Sequence, residues 1–68
     1  MTMRLTVNGR EIDVPDGTHL RGLLERLGSD PTRVAVERNL DVVPRRTYEE
    51  VLLAEGDRIE IVTFVGGG

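Results

Sequence analysis

The residues with the clearest chemical potential in this 68-residue chain are its last three, Gly66, Gly67 and Gly68. Glycine has no Cβ, so a glycine tail is thin and conformationally permissive. Such a tail can thread into the active site of another protein and present the carboxylate of Gly68 for reaction. Two simpler origins of a glycine tail stay open on these residues alone, because chain ends are commonly disordered and glycine tails can remain from recombinant expression.

The remaining residue types leave few catalytic options. The chain has no cysteine, which excludes disulfides, thiolate metal sites and a cysteine nucleophile. His19 is the only histidine, so a multi-histidine metal site is excluded. All nine basic residues are arginine, which excludes a lysine Schiff base. We therefore expect a protein that is not an enzyme and that binds neither a metal nor a cofactor of its own.

Composition and charge narrow the class of partner. The net charge is −3, and Tyr48 and Phe64 are the only aromatic residues, which argues against nucleic-acid binding. The sequence has no apolar run near the ~20 residues of a membrane span and no signal peptide at its start. With 38% hydrophobic residues, we expect one small, soluble, cytoplasmic domain that is monomeric when free.

The first elements are predicted by simple periodicities. Residues 3–7 and 11–14 alternate apolar and polar side chains, as half-buried strands do, and Asn8-Gly9 between them is a strong hairpin signal. Thr18 is a candidate helix N-cap, and Gly28 suits the left-handed position after a helix. Between these two residues, four leucines at helical spacing predict one apolar face packed in the core, namely Leu20, Leu23, Leu24 and Leu27.

The second half of the chain predicts strands. Residues 34–36 and 42–43 are two short strands, residues 47–57 form a loop with a helical turn, and residues 58–65 form the last strand. A single helix covers one face of a sheet, so the fold class is two-layer α+β. The last strand can lie beside the first in a mixed sheet of about four to five strands, which is the β-grasp fold. We expect a domain over residues 1–65 and a flexible glycine tail over residues 66–68.

Alternation along the last strand separates two faces. Ile59 and Ile61 match the apolar phase of the first strand and are expected inside. Val62 and Phe64 then lie on the open face of the sheet, next to the tail. Either neighbouring loops cover them in part, or they form an apolar patch for docking a partner.

The β-grasp order with a terminal Gly-Gly resembles ubiquitin-like proteins. Two segments are similar to the bacterial sulfur carrier proteins of thiamine biosynthesis, RVAVERNLDVVPRR (residues 33–46) and GDRIEIVTFVGGG (residues 56–68). The segments VNG and PDGTHLRGLLERLG fit the same family. The resemblance covers essentially all 68 residues.

The resemblance implies a function for the tail. An E1-like adenylyltransferase uses ATP to adenylate Gly68, and sulfur from a cysteine desulfurase or another donor converts the adenylate to a thiocarboxylate. Thiazole synthase then takes the sulfur. On this interpretation Gly66, Gly67 and Gly68 thread into the partner sites, which admit backbone and little else.

Docking residues are expected beside the tail and in the family-like run around Pro44. Val62, Phe64 and Val65 lie next to the tail, and Arg45 follows Pro44 in the family-like run, where it pairs with acidic groups of the E1-like enzyme or is simply solvated beside Arg46. Asp57 is expected to set the turn before the last strand, and Arg38 and Arg46 receive no role.

Three further functions stay open on the sequence alone. A carrier with the same tail chemistry can serve molybdopterin synthesis or tRNA thiolation. A ubiquitin-like modifier would instead form isopeptide bonds with lysines of target proteins. A plain interaction module would leave the terminal Gly-Gly unexplained.

Overall fold

A β-hairpin opens the fold, as the alternating pattern predicts. In a computed structural model that describes residues 1–64, strand β1 spans Thr2–Val7 and pairs antiparallel with β2, Arg10–Pro15. Asn8 and Gly9 form the turn with φ angles of 49° and 82°. These positive values are the reason that the turn takes Asn-Gly.

One helix crosses the sheet that the hairpin begins. Helix α1 spans Leu20–Arg26, and Leu20, Leu23 and Leu24 are fully buried on its inner face. The predicted N-cap is wrong by one residue, because His19 and not Thr18 precedes the helix. The backbone explains the delay: His19 is extended and forms a β-bridge with Leu52 before the helix begins.

The fourth leucine of the helical stripe departs from the expectation. Leu27 is 43% exposed, so the prediction that it lies in the core is wrong. The helix ends at Arg26, Leu27 is its C-cap, and Gly28 follows with a φ of 73°, as predicted for a residue that ends a helix. The helix is therefore too short for its last leucine to reach the closed part of the core.

The remaining strands complete the sheet. Strand β3 spans Val34–Arg38, β4 spans Asp41–Val43 and β5 spans Arg58–Thr63, with short 3₁₀ turns at Pro31–Arg33 and Arg45–Thr47. The predicted helical turn follows the second of these, because the amide of Val51 donates a hydrogen bond of 3.0 Å to the carbonyl of Thr47. Strand β5 ends one residue before Phe64, and the predicted continuation at Val65 lies outside the described residues.

The sheet order confirms the β-grasp prediction. Within residues 1–64 the order is β2-β1-β5-β3-β4, with β5 parallel to β1 and antiparallel to β3. The helix side of the sheet holds the core, which consists of Met3, Leu5, Val7, Val14, Leu20, Leu23, Leu24, Val34, Val36, Tyr48, Leu53 and Ile59. The last strand therefore lies in the centre of the sheet, with a hydrogen-bonded neighbour on each side.

The described residues end just before the predicted end of the domain. The predicted domain limit at residue 65 and the predicted tail over residues 66–68 lie outside the described residues. Among residues 1–64, no helix is long and apolar enough to cross a membrane.

Candidate functional site

The candidate site is the end of β5, which precedes the three glycines in the sequence. Thr63 is the last residue of this strand, and the amide of Phe64 still donates a hydrogen bond of 2.9 Å to the carbonyl of Arg33. This bond fixes the chain against the neighbouring side of the sheet up to the last described residue. Gly66, Gly67, Gly68 and Val65 lie outside the described residues, so their predicted roles remain predictions.

Side chains near the end of β5 divide between the two faces as predicted. Ile59 is completely buried, and Ile61 is partly buried and packs against the core. Val62 is 61% exposed and Phe64 is 53% exposed. Val62 pairs with the exposed Ala35, so the open face at this end carries small and large apolar groups.

Arg45 lies apart from this apolar pair. It begins the 3₁₀ turn Arg45–Thr47 and is exposed. It lines a hollow with Pro31, Thr32, Tyr48 and other residues, and neither Val62 nor Phe64 lines that hollow. The structure leaves Arg45 available to a partner without joining it to the patch on β5.

The beginning of β5 is held by a buried carboxylate. Asp57 accepts hydrogen bonds from Arg38 Nε (2.9 Å), Asn39 Nδ2 (3.0 Å) and the amide of Ala54 (2.9 Å). Arg38 also donates to the carbonyl of Leu52 at 3.1 Å, so its head group, to which the sequence assigns no place, joins the β3–β4 hairpin to the loop before β5. The expectation that Asp57 sets this turn is confirmed.

Charge and burial act in opposite directions on Asp57. Burial alone would raise the pKa of this carboxyl, but the hydrogen bonds from Asn39, Ala54 and Arg38 outweigh it. The net effect holds the pKa of Asp57 below its usual range. The carboxylate therefore stays ionised at neutral pH and anchors the strand as an anion.

The other side of β5 is held by Asn8, a role that no local signal in the sequence indicates. Asn8 Oδ1 accepts a hydrogen bond of 2.7 Å from the amide of Ile61, and Asn8 Nδ2 donates one of 3.2 Å to the carbonyl of Ile61. Its backbone amide also donates to the carbonyl of Ile59. One side-chain amide thus replaces a strand residue where β1 has already turned away.

Two further features of the described residues are their capacity to hold a metal ion and the position of the histidine. Residues 1–64 bring no three His, Cys, Asp or Glu side chains into an arrangement that could hold a metal ion. His19, the only histidine, is exposed at the start of the helix, on a different element from β5. What the described residues offer at this end of the sheet is a rigidly held strand and an exposed apolar surface.

Comparisons with known proteins agree with this geometry. The model of the ThiS family matches residues 2–68. The sulfur carrier protein ThiS of Bacillus subtilis is 38% identical over 65 residues, which cover 94% of this chain and 98% of that protein. A crystal structure of the thiamine biosynthesis protein ThiS from Geobacter metallireducens has a TM-score of 0.82 and 33% identity, covering 97% of this chain and 100% of that one.

Longer relatives contain a similar segment. The thiazole synthases of Paramagnetospirillum magneticum and Magnetococcus marinus are 46% and 52% identical over 66 residues. This chain spans 20% of the length of each of them. Taken with the five-stranded sheet and its central last strand, the family and structure matches show that the chain belongs to the ThiS family of ubiquitin-like β-grasp sulfur carriers of thiamine biosynthesis.

Proposed function

We propose that the chain carries sulfur on the carboxylate of Gly68 and that it has no catalytic activity of its own. The observation that carries this proposal is the family match, which runs through residue 68 and so includes all three glycines. The described part of the chain supports it, because β5, the strand that precedes the glycines in the sequence, is held on both sides in the centre of the sheet.

The chemistry requires activation by a partner. A carboxylate is a poor electrophile, because its charge is delocalised and an oxide anion is a poor leaving group. An E1-like adenylyltransferase joins Gly68 to AMP and releases pyrophosphate from ATP. A nucleophilic sulfur from a cysteine desulfurase or another donor then attacks the acyl carbon, and AMP leaves with the electron pair of the broken C–O bond. The product, after any donor group on the sulfur has been removed by a thiol, is a thiocarboxylate.

Thiazole synthase is the proposed acceptor of this sulfur. A segment similar to nearly the whole of this chain occurs within two proteins named thiazole synthase. Domains that are joined in one relative commonly act together when they are separate chains. This favours thiazole synthesis over molybdopterin synthesis, tRNA thiolation or protein modification, which use the same kind of tail.

Docking of the E1-like enzyme is assigned to the open face of β5. Val62 and Phe64 are exposed apolar residues on one face, and exposed apolar residues close to a reactive segment are typical of partner sites. Val65 continues this segment in the sequence, and Arg45 supplies a separate positive charge for acidic groups of the partner. Gly66 and Gly67 are proposed to enter the partner's channel ahead of Gly68.

Intact mass spectrometry tests this function. The full chain is incubated with ATP, a sulfur donor and the E1-like enzyme, and the expected result is a gain equal to the replacement of one oxygen by sulfur. Deleting Gly68 or adding one residue after it abolishes the gain if the terminal carboxylate reacts. Full loading of the lengthened chain would overturn the assignment of Gly68.

A bulky substitution in the tail is the second part of the same test. Gly67→Val should block loading, because a β-branched side chain widens the tail and restricts its backbone. Surface substitutions usually change the free energy of unfolding by less than about 0.5 kcal/mol, so the thermal midpoint should hardly move. Covalent adducts on lysines of other proteins, in place of the thiocarboxylate, would point to a modifier instead.

A further inference from the structure

The centre of the sheet has an unfilled place beside the end of β5. Strand β1 ends at Val7, whose partner in the parallel ladder is Ile59, and the hairpin then turns away. Strand β5 continues beyond that pair to Thr63. The side-chain amide of Asn8 covers this edge at Ile61, and nothing among residues 1–64 continues the ladder beyond it.

The alternating direction of backbone N–H and C=O groups along β5 shows which of them lack a hydrogen-bond partner. Ile59 and Ile61 direct their N–H or C=O groups to the β1 side, where Asn8 binds them, and Phe64 directs its amide to Arg33 on the β3 side. Since successive residues of a strand point to opposite sides, Thr63 directs both its N–H and its C=O to the β1 side. Neither group has a backbone partner within residues 1–64.

An apolar hollow of about 320 Å³ lies next to this open edge. It is on the helix side of the sheet, where the short helix no longer covers the strands. Its walls include Val7, Ile12, Ile61 and the half-exposed Leu27. Leu27 is not buried in the core, and its exposed part faces this hollow, where a ligand can contact it.

One basic group stands at the hollow. Arg10 lines it, is exposed, and takes part in none of the ion pairs among the described residues. The site thus combines the open backbone of Thr63, an apolar hollow and the positive charge of Arg10. A matching ligand has an extended backbone, an apolar side chain directed toward the helix and an acidic side chain near Arg10. An extended peptide segment of a protein has all of them.

We propose that a partner that receives the tail adds an extended segment beside β5 at Thr63, in the place that β1 vacates. The segment pairs its backbone with the N–H and C=O of Thr63 and inserts an apolar side chain between Leu27, Ile12 and Ile61. An acidic residue of the segment lies near Arg10. The identity of the partner rests on the proposed function. The added segment would form a second contact surface, on the opposite face of the sheet from Val62 and Phe64.

Amide hydrogen exchange of the full chain tests the backbone pairing directly. The probes are the E1-like adenylating enzyme and the thiazole synthase of the same organism, each added to saturation. In the free chain the Thr63 amide should exchange fast and the Phe64 amide slowly, because Phe64 is bonded to Arg33. With one of the two enzymes bound, exchange at Thr63 should fall to the level of Phe64.

Three results of the exchange measurement overturn the proposal. If neither enzyme slows the Thr63 amide, no strand is added there. If that amide is already protected in the free chain and protection grows with concentration, a second copy fills the edge. Protection that is independent of concentration shows that the chain's own residues fill it. Sulfur loading is measured separately in the same sample. Loading without protection of Thr63 would therefore refute strand addition while leaving the proposed carrier function intact.

Variants test the two contacts separately. Thr63→Pro removes the open donor while leaving the Phe64 bond in place, and loss of one hydrogen bond should weaken binding about fivefold. Leu27→Ser removes the apolar contact of a side chain that is 43% exposed and should also weaken binding about fivefold. Leu40→Ser is the matched control, because Leu40 is 81% exposed on the distant β3–β4 turn.

The pattern across these variants decides the outcome. Weaker binding by both test variants, with the control unchanged, supports strand addition. Equal effects of Leu27→Ser and Leu40→Ser show general surface stickiness and overturn the proposal. Should Thr63→Pro fail to fold, the exchange measurement on the unaltered chain still decides whether the edge is used.

Discussion

The two faces of β5 should respond oppositely to truncation. Ile59 is completely buried, and Ile→Ala substitutions in a core cost about 2–5 kcal/mol. A domain of this size has a free energy of unfolding of roughly 3–10 kcal/mol, so Ile59→Ala removes a large part of it. Phe64 is 53% exposed, so truncation removes about half of a burial term of about 1.5–3 kcal/mol, or roughly 1 kcal/mol.

Binding should reverse this order. If Phe64 inserts into the E1-like enzyme, its exposed half becomes buried, and aromatic residues are common anchors of interfaces. Phe64→Ala should then weaken the complex by about 1–3 kcal/mol while the chain remains folded. Ile61 is only partly buried, so Ile61→Ala should fall between the two in stability.

The assay combines urea unfolding followed by circular dichroism with titration calorimetry against the E1-like enzyme. Val42→Ala is the matched control, because Val42 is an exposed apolar residue of β4 that lies outside the proposed docking surface. If Phe64→Ala unfolded the domain and Ile59→Ala did not, the assignment of faces along β5 would be reversed. If Phe64→Ala changed neither stability nor affinity, the open face would not be the docking surface.

Two further predictions concern the anchors of β5. The pKa of Asp57 is held below its ordinary value of 3.8, so its contribution to stability is present above that value and is lost as the pH falls through the folded-state pKa. Asp57→Asn should therefore flatten the acid limb of the unfolding curve below about pH 4, and an unchanged limb would refute this role. Asn8→Gly keeps the positive φ of the turn but removes both hydrogen bonds to Ile61, so urea unfolding should show a loss of about 1–2 kcal/mol, and no loss would show that these bonds contribute nothing net.

Local signals predicted the elements of this fold well. The alternating residues of the hairpin and the left-handed glycine after the helix act over a few residues, where sterics decide the conformation. The two-layer class followed from a global constraint, since a single helix covers only one face of a sheet. The place of β5 beside β1 was expected from the order of hairpin, helix and last strand. The exposure of Val62 and Phe64 followed from alternation once the buried phase of Ile59 was known.

The failures come from contacts between distant parts of the chain. Thr18 has the side chain of an N-cap, but the backbone at residues 18–20 instead pairs with residues 51–53. This extended pairing holds His19 out of the helix. Leu27 has helical spacing, but a stripe of leucines does not reveal where the helix ends relative to the sheet. Burial at the last turn depends on that relation.

The candidate site divides in the same way. The proposed chemistry of the tail rests on the family resemblance, because the glycines alone leave a disordered end or an expression remnant open. The bonds from Asn8 to Ile61 join residues 53 positions apart, and the bond from Arg38 to Asp57 joins residues 19 positions apart. Neither pair has a spacing that local periodicity detects. The Asn-Gly pair is fully accounted for by the turn, so the sequence gives no sign that the asparagine side chain also binds the backbone of Ile61.

The two anchors of β5 act at opposite ends of the strand, which separates stability from function. Asp57 and its donors fix the beginning of the strand, and disturbing them changes the free energy of unfolding of the whole domain. The residues proposed to meet partners begin at the other end, past the Asn8 bonds to Ile61. There the backbone of Thr63 has no partner on the β1 side within residues 1–64, and the side chain of Phe64 is half exposed. Asp57→Asn should accordingly lower the thermal midpoint but leave sulfur loading per folded molecule unchanged, whereas Gly67→Val should do the reverse. Loss of loading in a folded Asp57→Asn chain would mean that the two ends of the strand are coupled.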